Sequence, residues 1–91
     1  MKETAKVRLK KKINVTELSG EKVMVDYGSG KYFMLHGIAN DVWDMLGEKV
    51  IPVTGIIDRI LEEYEVDQET CTEEVLDFLE KLESLDLLEA E

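Results

Sequence analysis

The 91-residue chain contains one cysteine, one proline and one histidine. A single cysteine excludes an internal disulfide and any structural zinc site built on several thiolates. It suits a reducing, cytoplasmic setting. No apolar run exceeds a few residues, as in Val23-Met24-Val25, so no segment reads as a membrane span. The opening Met1-Lys2-Glu3-Thr4-Ala5-Lys6 lacks the apolar stretch of a secretory signal. The phosphate-binding pattern G-x-x-x-x-G-K-[ST], the dinucleotide pattern G-x-G-x-x-G and the zinc-protease pattern H-E-x-x-H are missing. Positive charge is scarce as well, with 11 Lys and Arg against 21 Asp and Glu, a net of −10.

What is present is enough for one domain spanning residues 1–91 with a modest core, because 44% of the residues are hydrophobic. The charge is unevenly placed. Residues 1–36 carry 8 basic and 4 acidic side chains, while residues 37–91 carry 3 and 17. The acidic second half should repel nucleic acid and anionic lipid and attract basic partners.

The hydrophobic pattern changes period between the halves. Val7-Arg8-Leu9-Lys10 and Ile13-Asn14-Val15 alternate as half-buried strands do. Ser19-Gly20 marks a loop. Val23, Val25 and Tyr27 share one face of the next strand, and Gly28-Ser29-Gly30 joins it to Lys31-Tyr32-Phe33-Met34-Leu35. Glycine supplies the positive φ of a hairpin turn, so these segments form a β-hairpin, with Phe33 and Leu35 on one face and Tyr32 and Met34 on the other. Beyond residue 37 the spacing becomes helical. Ala39, Val42, Trp43 and Leu46 make one stripe, Ile57, Ile60, Leu61 and Tyr64 a second, and Cys71, Val75, Phe78, Leu79, Leu82 and Leu85 a third. Gly47 is the expected C-cap of the first helix, Thr54 the N-cap of the second, and Thr70 with Glu73 a capping box for the third. The expectation is an α+β domain: a three-stranded antiparallel sheet within residues 7–35, then a three-helix bundle over 37–86, with a winged-helix-like arrangement.

Such a fold could serve as a DNA-binding regulator. Glu73, Glu74, Asp77, Glu80, Glu83 and Asp86 on the candidate recognition helix, against Lys81 alone, have the wrong sign for phosphate. Catalysis finds little support. His36 has no evident partner to act as a base with. Cys71 lies near a helix N-terminus but on the apolar stripe, as a core thiol would. Trp43 also belongs to a core stripe. No metal-ligand spacing or cofactor motif is evident. The strand 31–35 is the better lead. It has no proline and one charge, Lys31, so as a sheet edge it is open to pairing with a partner peptide. The third helix could wall such a cleft, with Leu76 half exposed one position off the stripe. Alternatively, the N-terminal strand or a second copy covers that edge, which leaves the oligomeric state at monomer or weak dimer.

The stretch Glu21–Asp26, the turn Ser29-Gly30-Lys31-Tyr32-Phe33, then Leu35, Ala39, Val42 and Trp43 resembles the PqqD-like peptide-recognition elements of ribosomally made, modified peptides. Ile57, Ile60, Leu61, Tyr64, Val66-Asp67, Val75, Phe78-Leu79, Leu82 and Leu87-Leu88 continue the likeness, most of all to the standalone proteins of lasso-peptide biosynthesis. The resemblance implies a non-catalytic adaptor without cofactor or metal. The leader segment of a precursor peptide would dock as an added strand on Lys31, Tyr32, Phe33, Met34 and Leu35, facing Val75, Leu76, Leu79, Glu80 and Glu83. A leader peptidase, and with it a cyclase, would be the further partners. A chaperone for another precursor, such as that of pyrroloquinoline quinone, is the alternative within the family. Two positions depart from the family pattern. His36-Gly37 stands where an Asn usually starts the first helix, and Asp86 stands where a Gly usually precedes the last Leu pair.

Overall fold

The computed structural model describes residues 1–10, 14–18, 21–26, 30–35, 37–47 and 49–91. In chain order the elements are β1 (Lys6–Leu9), β2 (Asn14–Leu18), β3 (Glu21–Asp26), β4 (Lys31–Leu35), α1 (Ile38–Met45), β5 (Ile51–Pro52), α2 (Val53–Glu63), α3 (Gln68–Ser84) and β6 (Leu88–Ala90). The α+β class is the expected one. The strands, however, form two antiparallel sheets, β2-β3-β4 and β5-β1-β6, where the sequence predicts one.

The sheet β2-β3-β4 is a meander of neighbours in sequence. Met24 lies opposite both Val15 and Phe33, and Val23 lies opposite Met34. Gly30 holds φ +72°, the left-handed conformation the hairpin loop requires. The rest of that loop, Gly28-Ser29, falls outside the described residues, as do Lys11-Lys12, Ile13, Ser19-Gly20, Tyr27 and His36.

The second sheet joins distant parts of the chain. Val7 pairs with Ile51 on one side and Ala90 on the other. The Glu91 amide donates to the Lys6 carbonyl at 2.7 Å, and the Val53 amide donates to the Ala5 carbonyl at 2.9 Å. Alternation shows that one face of a strand is buried, not which strand lies beside it. Hence Val7–Leu9 reads correctly as a strand but is drawn into a sheet that residues 7–35 do not contain. The strand β6 after the last helix is a further departure from the predicted outline.

Helix boundaries also differ from the local signals. Asp67, not Thr70, caps α3. Its Oδ1 accepts from the Thr70 amide at 2.7 Å, and its Oδ2 accepts from the Thr70 hydroxyl at 3.1 Å. These bonds to the charged form hold the Asp67 carboxyl below its ordinary pKa. The helix therefore begins one turn earlier than the capping box suggests. The helix α2 starts at Val53 behind Pro52, so Thr54 is inside it and caps nothing. The helix α1 stops because Leu46 turns extended, and Gly47 accepts from the Leu9 amide at 2.8 Å instead of serving as a left-handed cap.

Asp86 ends α3 at φ +62°, the only non-glycine with positive φ among the described residues. The Leu87 amide donates back to Leu82 at 3.0 Å, which closes a Schellman-type cap. The position where a glycine resembles the family better is thus the one that demands left-handed backbone. The core gathers Met24 and Leu35 of the meander, Val7 and Leu88 of the other sheet, Val42, four residues of α2, and Cys71, Val75, Leu79 and Leu82 of α3.

Candidate functional site

The strand β4 bonds to β3 and forms one edge of its sheet. Side chains alternate along it. Leu35 is buried and Phe33 half-buried, whereas Tyr32 is 71% exposed and Met34 52% exposed. A cleft of about 160 Å³ runs beside this edge. Met24, Phe33, Met34, Leu35 and Ala39 line it from the sheet and α1, and Phe78, Lys81, Leu82 and Leu85 line it from α3. The Lys81 ammonium lies 4.4 Å from the centroid of the Phe33 ring, so one cation–π contact bridges the two walls. The cleft is otherwise apolar. It combines a hydrophobic floor with the unpaired backbone of a strand edge, which is what a peptide in extended conformation needs.

The structure brings together only part of the residue set expected from sequence. Tyr32, Phe33, Met34 and Leu35 stand at the cleft or on its rim, and the β4 backbone begins at Lys31. The α3 positions expected from sequence lie outside the lining of this cleft. Val75 and Leu79 are fully buried in the core and do not line the cleft, whereas Leu82, buried to the same degree, does. Leu76, Glu80 and Glu83 lie a third to a half of a turn round α3 from Phe78 and Lys81, since each residue advances about 100°. Glu80 accepts from the Met1 ammonium at 2.7 Å, and this bond raises the pKa of that amine. Leu76 is half-buried and Glu83 exposed, as a residue just off the stripe should be.

The missing cleft residues are visible in sequence only as stripe members. Phe78, Leu82 and Leu85 share the apolar stripe with Val75 and Leu79. A stripe wider than one neighbouring helix can cover is the signal that one margin faces something else. Lys81 has a single mark, as the lone basic residue of α3.

Other candidates carry no comparable geometry. Cys71 is buried, its thiol pushed up by desolvation, with Sγ 3.9 Å from the Ile57 carbonyl. A larger depression of about 510 Å³ between α1 and α2 is lined by Asp41, Asp44, Arg59 and Glu63. Its charges are already engaged: the Tyr64 hydroxyl donates to Asp41, Lys22 pairs with Asp44, and Arg59 stands 3.6 Å from Glu63. The Asp41 bond, helped by desolvation, raises the Tyr64 pKa. Among the described residues no group of three His, Cys, Asp or Glu is placed to hold a metal. No described helix is long and apolar enough to cross a membrane.

Residues 21–88 match the family described as Coenzyme PQQ synthesis protein D (PqqD). The chain belongs to the PqqD family. The match includes β3, β4 and all of α3, and so both walls of the cleft. This PqqD-family chain is also similar to the solved structure of TbiB1 in complex with the TbiA(beta) leader peptide. The TM-score is 0.74 at 29% identity, covering 90% of this chain and 94% of that one. No curated protein matches the chain. The PqqD match leaves β1 outside its limits, and β1 is the strand that ties residues 6–9 to the C-terminal strand.

Proposed function

We propose that this protein is a non-catalytic adaptor that captures the leader segment of a ribosomally made precursor peptide. The leader adds itself as a strand to Lys31–Leu35 and lays alternate side chains into the cleft between β4 and α3. One observation carries the reading: the open edge of β4 and the apolar cleft occupy the same place, so backbone pairing and side-chain burial are available to one extended peptide. Main-chain bonds supply affinity, and the pocket formed by Phe33, Phe78, Leu82 and Leu85 supplies selectivity for a bulky apolar side chain. TbiB1, similar over nearly its whole length, was solved with a leader peptide bound.

The contact set is accordingly Lys31, Tyr32, Phe33, Met34 and Leu35 with Phe78, Lys81, Leu82 and Leu85. We assign the peptide no direct contact with Val75, Leu76, Leu79, Glu80 or Glu83. The resemblance to standalone lasso-peptide proteins supports a leader peptidase, and with it a cyclase, as the recipients of the captured precursor. The PqqD description of the matching family keeps a pyrroloquinoline quinone precursor as the second reading. The acid-rich α3 disfavours the DNA-binding reading of the fold.

The test is an NMR titration of labelled protein with the leader of the precursor encoded beside its gene. Shifts concentrated in residues 31–35 and 78–85 are expected. Saturable binding that moves neither segment would place the peptide elsewhere and refute strand addition.

A further inference from the structure

Lys81 is out of keeping with its surroundings. The rest of α3 carries Glu69, Glu73, Glu74, Asp77, Glu80 and Glu83 and no other basic residue. Asp77 lies one turn away on the same helix, yet none of the ion pairs among the described residues uses the Lys81 ammonium. Instead the ammonium reaches across to Phe33 and joins the wall of an apolar cleft. An aromatic face attracts a cation but accepts none of its three N–H bonds in the plane-directed way a carboxylate does, so water must satisfy them.

An occupant of the cleft changes that balance. A strand laid along β4 displaces water from the ammonium. An apolar or basic side chain beside it leaves a partly dehydrated charge without a partner, whereas a carboxylate gives it a charge-assisted hydrogen bond. Side chains of a strand face the same side every second residue. We propose that Lys81 is a specificity-determining residue. The peptide that fills the cleft carries a bulky apolar residue at one inward position and Asp or Glu at the next, two residues away. The inference rests on the leader-binding reading and deepens it. It also runs against the net charge of the helix, which by itself favours a lysine-rich ligand. That field acts along the whole peptide, while the single cation at the cleft decides the residue seated there.

Random dodecapeptides displayed on phage, selected separately against the parent, Lys81→Met and Lys81→Glu, test it with no leader sequence chosen in advance. Lys81 is exposed, and thermal melts check that all three proteins fold alike. The parent should enrich peptides in which an aromatic or large aliphatic residue stands two positions from Asp or Glu. The acidic residue should lose its enrichment with Lys81→Met and give way to Lys or Arg with Lys81→Glu. In a synthetic copy of an enriched peptide, replacing that acid by lysine should weaken binding to the parent by about 10-fold and to Lys81→Met by less than about 2-fold. Equal charge content in all three selections, with the peptides still shifting residues 31–35, would overturn the role of Lys81 and leave strand addition intact. Enriched peptides that do not shift residues 31–35, or no enrichment against any of the three, would overturn the leader-binding reading and this proposal together.

Discussion

Two neighbouring residues of α3, Phe78 and Leu79, show how the helix divides its duties. Leu79 points with Cys71 and Val75 into the core and is fully buried. Phe78 lies about 100° round the helix, half-buried at the margin of the cleft with Lys81 and Leu85. Both are large apolar side chains on one amphipathic stripe, and nothing in their chemistry separates them. What separates them is the neighbour. The flank of Leu79 meets other helices, whereas the flank of Phe78 meets a sheet edge that stops short of it. The same hydrophobic pattern therefore stabilises the fold on one flank and leaves an apolar surface available for a ligand on the other.

That contrast can be broken from either side. The largest effect should come from Leu79→Ala, which opens a cavity in the core and should lower stability by about 2–5 kcal/mol in urea unfolding. The fraction that remains folded should bind leader peptide nearly as the parent does. Next is Phe78→Ala, which should weaken leader binding by about 1–3 kcal/mol in calorimetry, with a smaller loss of stability than Leu79→Ala. Glu80→Gln, on the flank away from β4, serves as the control and should bind like the parent. If Phe78→Ala binds normally and Glu80→Gln does not, the ligand lies on the wrong flank of the helix for the cleft. The smallest effect is at the end of α3. Asp86→Gly relieves a left-handed backbone but gives up the 2.5 Å contact with Lys10, and should raise stability by a few tenths to about 1 kcal/mol. A lower urea midpoint for this variant would show that the contacts of the Asp86 side chain, Lys10 among them, outweigh the backbone term.

The legibility of the molecule from its sequence follows the same division. The Gly-centred hairpin, the three apolar stripes and the burial of Cys71 can all be read locally, because each depends on a period or a turn residue within a few positions. Caps are less legible. Asp67 and Thr70 both suit an N-terminus, and the ionised carboxylate, one turn earlier, takes the position. The strand wall of the candidate cleft is legible too. The strand Lys31–Leu35 lacks the charges and proline that protect an edge, and that lack is visible in one dimension. The helical wall is not. A 3.6-residue period identifies the apolar face of α3 but cannot divide it between core and cleft, so the sequence-based set names Val75 and Leu79 whereas the cleft is lined by Phe78, Leu82 and Leu85.

The sequence by itself determined the elements of this protein: which segments alternate, which are helical, where glycine bends the chain, and that the helical half is acidic. Those properties arise from neighbours a few residues apart. Tertiary structure alone decided that Val7–Leu9 pairs with Leu88–Ala90 and Ile51-Pro52 instead of joining the meander, and that Lys81 meets Phe33 across an apolar cleft. Strand partners and cleft walls are matched across tens of residues, by which buried faces fit together and which backbone groups remain to be paired. Local periodicity carries no record of that choice.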